Sequence, residues 1–114
     1  MLLNDKVAIV TGGGSGIGEA TSDRFSREGA AVVVADLRMR KAEAVAARIN
    51  ENGGHAIAVE VDVSKPESVA ALVDTTVSQM GRLDVMFNNA GTLRPGTVIE
   101  LDVDDWDLVM GVNV

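Results

Sequence analysis

One glycine-rich stretch governs the architecture of this chain: Thr11-Gly12-Gly13-Gly14-Ser15-Gly16-Ile17-Gly18. It follows an apolar run at residues 7–10 and opens a segment in which apolar residues recur with helical spacing. A strand, a glycine loop and a helix in that order form a pocket for a nucleotide pyrophosphate, because glycines let the backbone approach the phosphates and the helix N-terminus attracts anions. The alternative is a βα turn that is rich in glycine but binds no ligand.

Three glycines of this loop have distinct predicted roles. Gly12 suits the tight turn after the strand, Gly16 lies where the backbone would meet phosphate, and Gly18 lets the helix pack closely on the sheet. The hydroxyl and the N–H of Ser15 are available to the pyrophosphate. The predicted cofactor loop also includes Thr11, Gly14 and Ile17. The loop lacks the Gly-Lys-Ser/Thr ending of a P-loop, so ATP hydrolysis is not expected.

Composition narrows the class of protein. The chain has 114 residues, of which 46% are hydrophobic, so one globular domain with a core is expected. Its net charge of −7 argues against a general nucleic-acid or anionic-membrane surface. The absence of cysteine and the single histidine, His55, argue against a thiolate or histidine cluster for a metal ion. No stretch has the pattern of a signal peptide or a membrane span, so a cytoplasmic protein is predicted.

Apolar runs alternate with helical patterns along the chain. Strands are predicted at 6–11, 31–35, 56–61 and 83–87, and helices at 16–28, 39–52 and 64–80. A capping box that begins with Ser64 is expected to start the third helix, and a fourth helix is expected from about Asp102. This alternation indicates a three-layer Rossmann-type α/β fold, a doubly wound parallel sheet with strand order 3-2-1-4 for the part present. The fourth strand would then keep an apolar free edge, so self-association through it is expected.

The second predicted strand ends at an acidic residue. Asp36 would accept hydrogen bonds from the hydroxyls of an adenosine ribose, and Leu37 beside it belongs to the same predicted site. Because a carboxylate repels a 2′-phosphate, NAD is predicted over NADP. Arg38 and Arg40 follow closely, however, and could hold a phosphate. The alternative for Asp36 is an ordinary solvent-facing residue at a strand end.

Two further strand ends carry predicted cofactor contacts. Asp62 would bind the amino group of adenine and Val63 would flank the ring, or Asp62 only begins the turn that follows. After the fourth strand, Ala90 and Gly91 would let the backbone lie close to a ribose, while the amide of Asn89 could tie strand ends together. Taken alone, this last motif is only a turn signal.

Together, these motifs resemble those of the short-chain dehydrogenase/reductase family, in order and over the whole chain. Residues 11–18 match the family's Thr-Gly-x-x-x-Gly-Ile-Gly loop, and Asp36 matches its ribose acid. Asp62 and Val63 match its adenine pair, and residues 89–91 match its Asn-Ala-Gly motif. Asn113 matches the asparagine of the family's catalytic tetrad. The resemblance implies that this asparagine lies on the fourth helix and holds a water that links the active-site lysine to solvent.

The resemblance implies an NAD-dependent oxidoreductase that moves a hydride between nicotinamide and the carbon of a small alcohol or ketone, as a homodimer or homotetramer. The family's Tyr-x-x-x-Lys pair has no counterpart here, because the chain has no tyrosine and its lysines are Lys6, Lys41 and Lys65. We therefore expect residues 1–114 to form the NAD-binding Rossmann half of such an enzyme, ending inside the fourth helix and inactive alone. The alternative is a non-catalytic NAD-binding or regulatory module.

Overall fold

The computed structural model describes residues 2–89, 97–101 and 108–113 as six strands and three helices with their connections. The strands are β1 (Val7–Thr11), β2 (Ala31–Asp36), β3 (His55–Glu60), β4 (Val85–Asn88), β5 (Thr97–Leu101) and β6 (Leu108–Asn113). The helices are α1 (Gly16–Arg27), α2 (Met39–Glu51) and α3 (Pro66–Met80). Each of the first seven elements lies where the sequence predicts it, with ends that differ by one or two residues.

The first four strands form the parallel sheet that the sequence predicts. They lie side by side in the order β3-β2-β1-β4, which confirms the expected topology. β1 pairs with β2 from Val7↔Ala31 to Thr11↔Ala35 and with β4 on its other side. All five residues of β1 are buried, which explains its continuous apolar run. Because the four strands are parallel, their carboxyl ends meet at one edge of the sheet.

Helices cover both faces of this sheet. On one face, Val10 of β1 belongs to the same buried cluster as Ile49 of α2. On the other face, Ile9 of β1 clusters with Leu72 of α3. Successive residues of a strand point to opposite faces, so these neighbours contribute to separate layers of the core. The structure thus confirms the predicted three-layer arrangement.

α3 begins differently from the expectation. Lys65 is its N-cap, Pro66 is its first helical residue, and no side chain caps the helix. The hydroxyl of Ser64 donates to Oδ1 of Asp62 over 2.6 Å instead. The capping-box prediction is therefore wrong: Ser64 lies one residue before the N-cap, and its hydroxyl donates to a carboxylate instead of accepting an N–H of the first turn of the helix.

The chain after β4 returns in the antiparallel direction. β5 pairs antiparallel with β4, and β6 pairs antiparallel with β5, which extends the sheet order to β3-β2-β1-β4-β5-β6. Only residues 89–96 connect β4 to β5, and only residues 102–107 connect β5 to β6. A parallel crossover needs about a dozen residues or more, so these short connections require antiparallel pairing.

Two expectations for this C-terminal region are wrong. Residues 108–113 form β6 rather than part of a fourth helix, while residues 102–107 lie outside the described residues. A short apolar run such as this one suits a buried strand as well as a helix, so periodicity could not separate the two. In addition, β5 covers the edge of β4 that was expected to remain free for self-association.

Candidate functional site

A cleft of about 300 Å³ opens at the edge of the sheet where the four parallel strands end. Ligands of doubly wound sheets bind at this edge. The lining residues are Gly12, Ser15, Asp36, Leu37, Arg38, Val61, Asp62, Val63 and Asn89. Apart from Arg38 and Val61, each of them is a residue that the sequence predicts for the cofactor site. The fold therefore brings together the glycine loop and the residues that follow β2, β3 and β4.

The glycine loop has a shape that side chains would block. Gly12 and Gly16 have φ angles of 65° and 59°, in the left-handed region that favours glycine. A Cβ on Gly18 would overlap the carbonyl of Gly12, so α1 can approach the loop only with glycine at this position. Apart from its chain neighbours and the backbone of its own helix, no atom of the described residues lies within 4 Å of a Cβ placed on Gly16. The backbone at Gly16 is therefore open to a ligand.

Backbone donors hold the carboxylate of Asp36 in place. Asp36 is only 4% exposed, its Oδ2 accepts the N–H of Gly14 at 3.0 Å, and its Oδ1 accepts the N–H of Arg38 at 2.9 Å. A Cβ on Gly14 would lie 2.9 Å from Oδ2, which explains why this position suits glycine. A carboxylate offers about four lone-pair sites, so Asp36 keeps capacity for the hydroxyl of a ligand.

The guanidinium of Arg38 links two sides of the cleft. Its Nη2 donates to Oγ of Ser15 at 3.0 Å, and its Nε donates to Oδ1 of Asp36 at 3.4 Å. The side chain of Arg38 is 56% exposed, whereas that of Asp36 is 4% exposed. An exposed cation thus bridges the glycine loop and the end of β2. The sequence shows an arginine two residues after Asp36, but it does not show this bridge.

Asp62 organises the turn after β3. Its Oδ1 accepts the N–H and the hydroxyl of Ser64, and its own N–H donates to Oγ of Ser68 at 2.9 Å. The hydroxyl of Ser64, followed by its N–H, lowers the pKa of Asp62 below its ordinary value. Asp62 therefore begins the turn, as one alternative had it, and it also lines the cleft between Val61 and Val63. Val61 was not predicted, although it directly precedes Asp62.

Thr11 ties the ends of β1 and β4 together beneath the cleft. It is fully buried, and its hydroxyl donates to Oδ1 of Asn88 at 3.0 Å while accepting the N–H of Asn89 at 3.1 Å. The side-chain amide of Asn89 donates to the carbonyl of Gly12 over 3.4 Å. Thr11 and Asn88 therefore position the residues that line the cleft. Asn88 was left out of the predicted site, although it adjoins Asn89 in the sequence.

Two large apolar residues of the predicted site are exposed. Ile17 in the first turn of α1 is 68% exposed, and Leu37 at the cleft is 64% exposed. Leu37 lies among the polar residues that line the cleft, where an apolar side chain suits contact with an apolar face of a bound molecule. The predicted contacts of Ala90 and Gly91 lie outside the described residues.

Asn113 lies on a strand and not on the predicted helix. It is the last residue of β6, where it pairs with Thr97 of β5. Thr97 in turn pairs with Asn88, and Asn88 pairs with Thr11. This row of paired residues places Asn113 at the same edge of the sheet as the cleft, three strands away from β1.

A larger groove, of about 520 Å³, lies near the C-terminal ends of α1 and α2. Arg48, which lines it, donates to both carboxylate oxygens of Asp23 at 2.8 and 2.9 Å and to Glu19 at 2.7 Å. The hydrogen bonds to Asp23, followed by the one to Glu19, raise the pKa of Arg48 above its ordinary value. Because these charges are paired with one another and lie away from the carboxyl ends of the strands, we assign the functional site to the smaller cleft.

The part of the chain that the structure describes lacks two other kinds of feature. No group of three or more metal-ligating side chains there could hold a metal ion. No helix within those ranges is long and apolar enough to cross a membrane.

Sequence comparison finds relatives along nearly the entire chain. The profile of the family described as short chain dehydrogenase matches residues 6–114. Tropinone reductase-like 1 from Erythroxylum coca is 46% identical over 116 residues, which cover 98% of this chain and 42% of the relative. Meso-2,3-butanediol dehydrogenase from Serratia marcescens is 41% identical over 114 residues, which cover 100% of this chain and 45% of the relative. The chain thus spans less than half the length of these curated relatives.

Solved structures share the architecture. A hydroxysteroid dehydrogenase from Escherichia coli has a TM-score of 0.76 and 39% identity, over 78% of this chain and 36% of its own. A 7α-hydroxysteroid dehydrogenase in complex with NADH and 7-oxo glycochenodeoxycholic acid has the same score and identity, over 78% of this chain and 35% of its own. The parallel sheet with its flanking helices is therefore a Rossmann-type fold.

Proposed function

Because this chain belongs to the short-chain dehydrogenase family, we propose that it supplies the cofactor site of an NAD-dependent oxidoreductase acting on a small alcohol or ketone. The observation that carries the proposal is the buried carboxylate of Asp36, which lines the cleft beside the glycine loop. An acid at this place accepts hydrogen bonds from ribose hydroxyls and repels a 2′-phosphate, which favours NAD over NADP. A related dehydrogenase was solved with NADH.

The residues of the cleft fit a dinucleotide. Gly12 and Gly16 turn the loop, and the open space beside Gly16 leaves room for a phosphate oxygen at the backbone. The first N–H groups of α1 have no partner within the helix, and the helix dipole favours an anion at this end. The volume of about 300 Å³ lies within the range of small-molecule pockets.

Each part of the cofactor has a proposed partner. Ser15 and Gly16 bind the pyrophosphate, and Asp36 orients the adenosine ribose. Asp62 accepts a hydrogen bond from the amino group of adenine, while Val63 contacts the ring. When bound, the nicotinamide supplies the ring carbon that accepts or gives up the hydride. The chain's own residues bind and orient the cofactor so that this carbon faces the substrate.

The nicotinamide side of the proposed site involves the residues after β4. In this proposal Ala90 and Gly91 allow close approach to a ribose, Asn89 ties strand ends together, and Asn113 is the one residue of this chain that assists catalysis. Residues 1–114 contain no tyrosine, so the proposal for them is confined to cofactor binding and to Asn113. We further propose that the enzyme is a homodimer or a homotetramer.

The second candidate function is a non-catalytic NAD-binding or regulatory module. The cleft at the carboxyl ends of the strands supports this candidate as well, because a module of this kind needs only the cofactor-binding residues that line it. A catalytic test separates the two candidates. The protein expressed from its complete reading frame is incubated with NAD and a panel of alcohols, and NADH is measured by absorbance. An enzyme produces NADH with at least one alcohol, whereas a binding module produces none.

The cofactor assignment is tested by Asp36→Asn, which removes the charge and keeps the size of the side chain. We expect the Kd for NAD to rise about tenfold, the size of a lost hydrogen bond to a charged group, and the preference over NADP to narrow. Titration calorimetry with both dinucleotides measures these changes. Asp74→Asn removes the same charge from an exposed position on α3 and is the matched control. Tighter binding of NADP than of NAD by the unmodified protein would contradict the role of Asp36.

A further inference from the structure

We propose that Asn50 shields the free edge of β3 and so prevents this edge from pairing with β3 of a second copy of the chain. β3 lies at one end of the strand order and pairs with β2 only. An edge strand offers unpaired N–H and C=O groups to any other strand, and native proteins protect such edges in specific ways. The inference concerns self-association and does not depend on the proposed function.

The side chain of Asn50, near the end of α2, imitates a neighbouring strand. Its Nδ2 donates to the carbonyl of Ala56 at 2.9 Å, and its Oδ1 accepts the N–H of Ala56 at 2.8 Å. Two residues that face each other in an antiparallel ladder exchange the same pair of hydrogen bonds. The amide of Asn50 therefore takes the place that a residue of an added strand would take at Ala56.

The backbone of Ala56 points away from β2, toward the free edge. Val61, which directly follows β3, donates its N–H to the carbonyl of Asp36 at the end of β2. Because the backbone groups of successive residues alternate between the two edges of a strand, the residues of β3 with even numbers face the other way. These residues are Ala56, Ala58 and Glu60.

A second copy of the chain fits this edge around a two-fold axis. If Ala58 faced Ala58, then Ala56 of each copy would face Glu60 of the other, so every outward residue would meet another outward residue. The amide of Asn50 occupies Ala56 in both copies and removes the two outer contacts. A register that avoids Ala56 spans only residues 58–60, which is shorter than the usual strand of about five or six residues.

Hydrogen exchange in the protein expressed from its complete reading frame tests the shield without any substitution. Ala56 and Ala58 point to the same edge, but only Ala56 is held by Asn50. We expect the amide of Ala56 to exchange at least about tenfold more slowly than that of Ala58, after correction for sequence. Equal and fast exchange would show that Asn50 does not hold Ala56 in solution, and slow exchange at Ala58 would show that another part of the protein covers this edge. Either result overturns the proposal.

Asn50→Ala opens the edge at an exposed position of α2 where alanine favours the helix. We expect the self-association constant to rise at least about tenfold over that of the parent, the net effect of one or two added hydrogen bonds. Sedimentation equilibrium measures this constant, with the oligomeric state of the parent as the baseline. The amide of Ala58 should become protected as the concentration of the variant rises.

Two matched variants separate the shield from a purely local role of Asn50. Asn50→Asp keeps the size of the side chain and loses the donor to the carbonyl of Ala56, but it places a charge on the edge, which itself discourages pairing. We expect it to associate no more than the parent. Asn52→Ala removes an exposed asparagine whose side chain makes no hydrogen bond among the described residues, and it should also behave as the parent does. Thermal unfolding checks that each variant is folded.

Three results with these variants would contradict the proposal. If Asn50→Ala is less stable but associates no more than Asn52→Ala, then Asn50 only fastens α2 to β3. If Asn50→Ala associates without protection of the amide of Ala58, the contact lies elsewhere. If Asn50→Asp associates as strongly as Asn50→Ala, lost stability and not the open edge drives the association. None of these measurements uses NAD, so failure of the proposed function leaves the test intact.

Discussion

Two arginines hold acidic side chains at different ends of this protein, and their contacts differ in kind. Arg48 joins α2 to α1 through three hydrogen bonds of 2.7 to 2.9 Å to Glu19 and Asp23. Arg38 bridges the end of β2 and the glycine loop through side-chain contacts of 3.0 and 3.4 Å. The first set of charges is satisfied internally, whereas the second is held loosely over a buried carboxylate.

The two arginines lie at two cavities that differ in their capacity to bind a ligand. The groove lined by Arg48 is larger, at about 520 Å³ against about 300 Å³. The smaller cleft nevertheless combines a carboxylate that keeps acceptor capacity with a glycine backbone that stays open to a ligand. Unused hydrogen-bonding capacity, and not volume, is therefore the reason why we propose the smaller cleft as the functional site.

The largest effect is expected at Gly18 of the glycine loop, and we compare it with the effect of the same substitution at Gly54, which lines the larger groove. In Gly18→Ala, the new Cβ would overlap the backbone carbonyl of Gly12, which cannot rotate away. We expect a loss of about 3 kcal/mol in the free energy of unfolding, as in overpacked sites, together with the loss of NAD binding. In Gly54→Ala, the Cβ would meet the side chains of Ser26 and Ile49, while the nearest backbone atom, the Ile49 carbonyl oxygen, lies 3.1 Å away, so a smaller loss of about 2 kcal/mol is expected.

Urea unfolding of both glycine variants, followed by circular dichroism, measures these free energies, and titration calorimetry measures NAD binding. Equal losses for the two variants would show that backbone rigidity at the glycine loop is not what makes Gly18 necessary. Retained NAD binding by Gly18→Ala would show that the close approach of α1 to the loop is dispensable.

A smaller effect is expected from Arg48→Ala, which removes the hydrogen bonds from α2 to Glu19 and Asp23 of α1. The side chain of Arg48 is 39% exposed, so solvent screens its ion pairs. We expect the free energy of unfolding to fall by about 1 kcal/mol and the Kd for NAD to stay unchanged. Urea unfolding and calorimetry check both parts, with Arg40→Ala as the control for lost charge. A changed NAD affinity at unchanged stability would place Arg48 in the binding site, and the distinction drawn between the two arginines would be wrong.

The smallest effect concerns a third ion pair, which Arg82 forms with Asp84 at the amino end of β4. Burial opposes ionisation of Asp84, but the hydrogen bonds from Arg82 and from the N–H of Val7 outweigh it and lower its pKa below the ordinary 3.8. Its contribution to stability is therefore complete above the unfolded-state pKa and is lost as the pH falls through the lower folded-state pKa.

Asp84→Asn tests this linkage. We expect the variant to lose less stability than the parent between pH values of about 5 and 2, because it has no carboxylate to protonate there. Urea unfolding at several pH values in this range measures the slopes. Parallel slopes for the two proteins would mean that Asp84 is not held by its partners in solution. NAD binding at neutral pH should be the same in both proteins, since Asp84 lies at the opposite edge of the sheet.

The first seven elements follow from local patterns. The apolar run of β1 indicates a strand buried on both faces, and Gly81, with a φ of 83°, ends α3 where the sequence predicts an end. The cleft also follows, because parallel strands bring Asp36 and Asp62 to one edge once the strand order is known. Local periodicity and the geometry of parallel sheets are sufficient for both steps.

Two of the wrong predictions, the fourth helix and the capping box, have physical causes of a different kind. The run at 108–113 is apolar enough for a helix or a strand, and pairing with β5 made it a strand. The hydroxyl of Ser64 can bond to a neighbouring side chain or cap the helix, and in the fold it donates to the carboxylate of Asp62 while the helix begins after Lys65. In each case the outcome depended on a competition between partners that no periodic pattern encodes.

The order of residues along the chain was thus enough to establish the βα units, the glycine loop and the acids at the strand ends, because these depend on neighbours in sequence. The bridge of Arg38 to Ser15, the tie of Thr11 to Asn88 and the antiparallel return after β4 depended on the folded chain. They join residues that are 23 and 77 positions apart, or strands whose pairing was open. Sheet register brings such groups within hydrogen-bonding distance, and register exists only after the strands have packed.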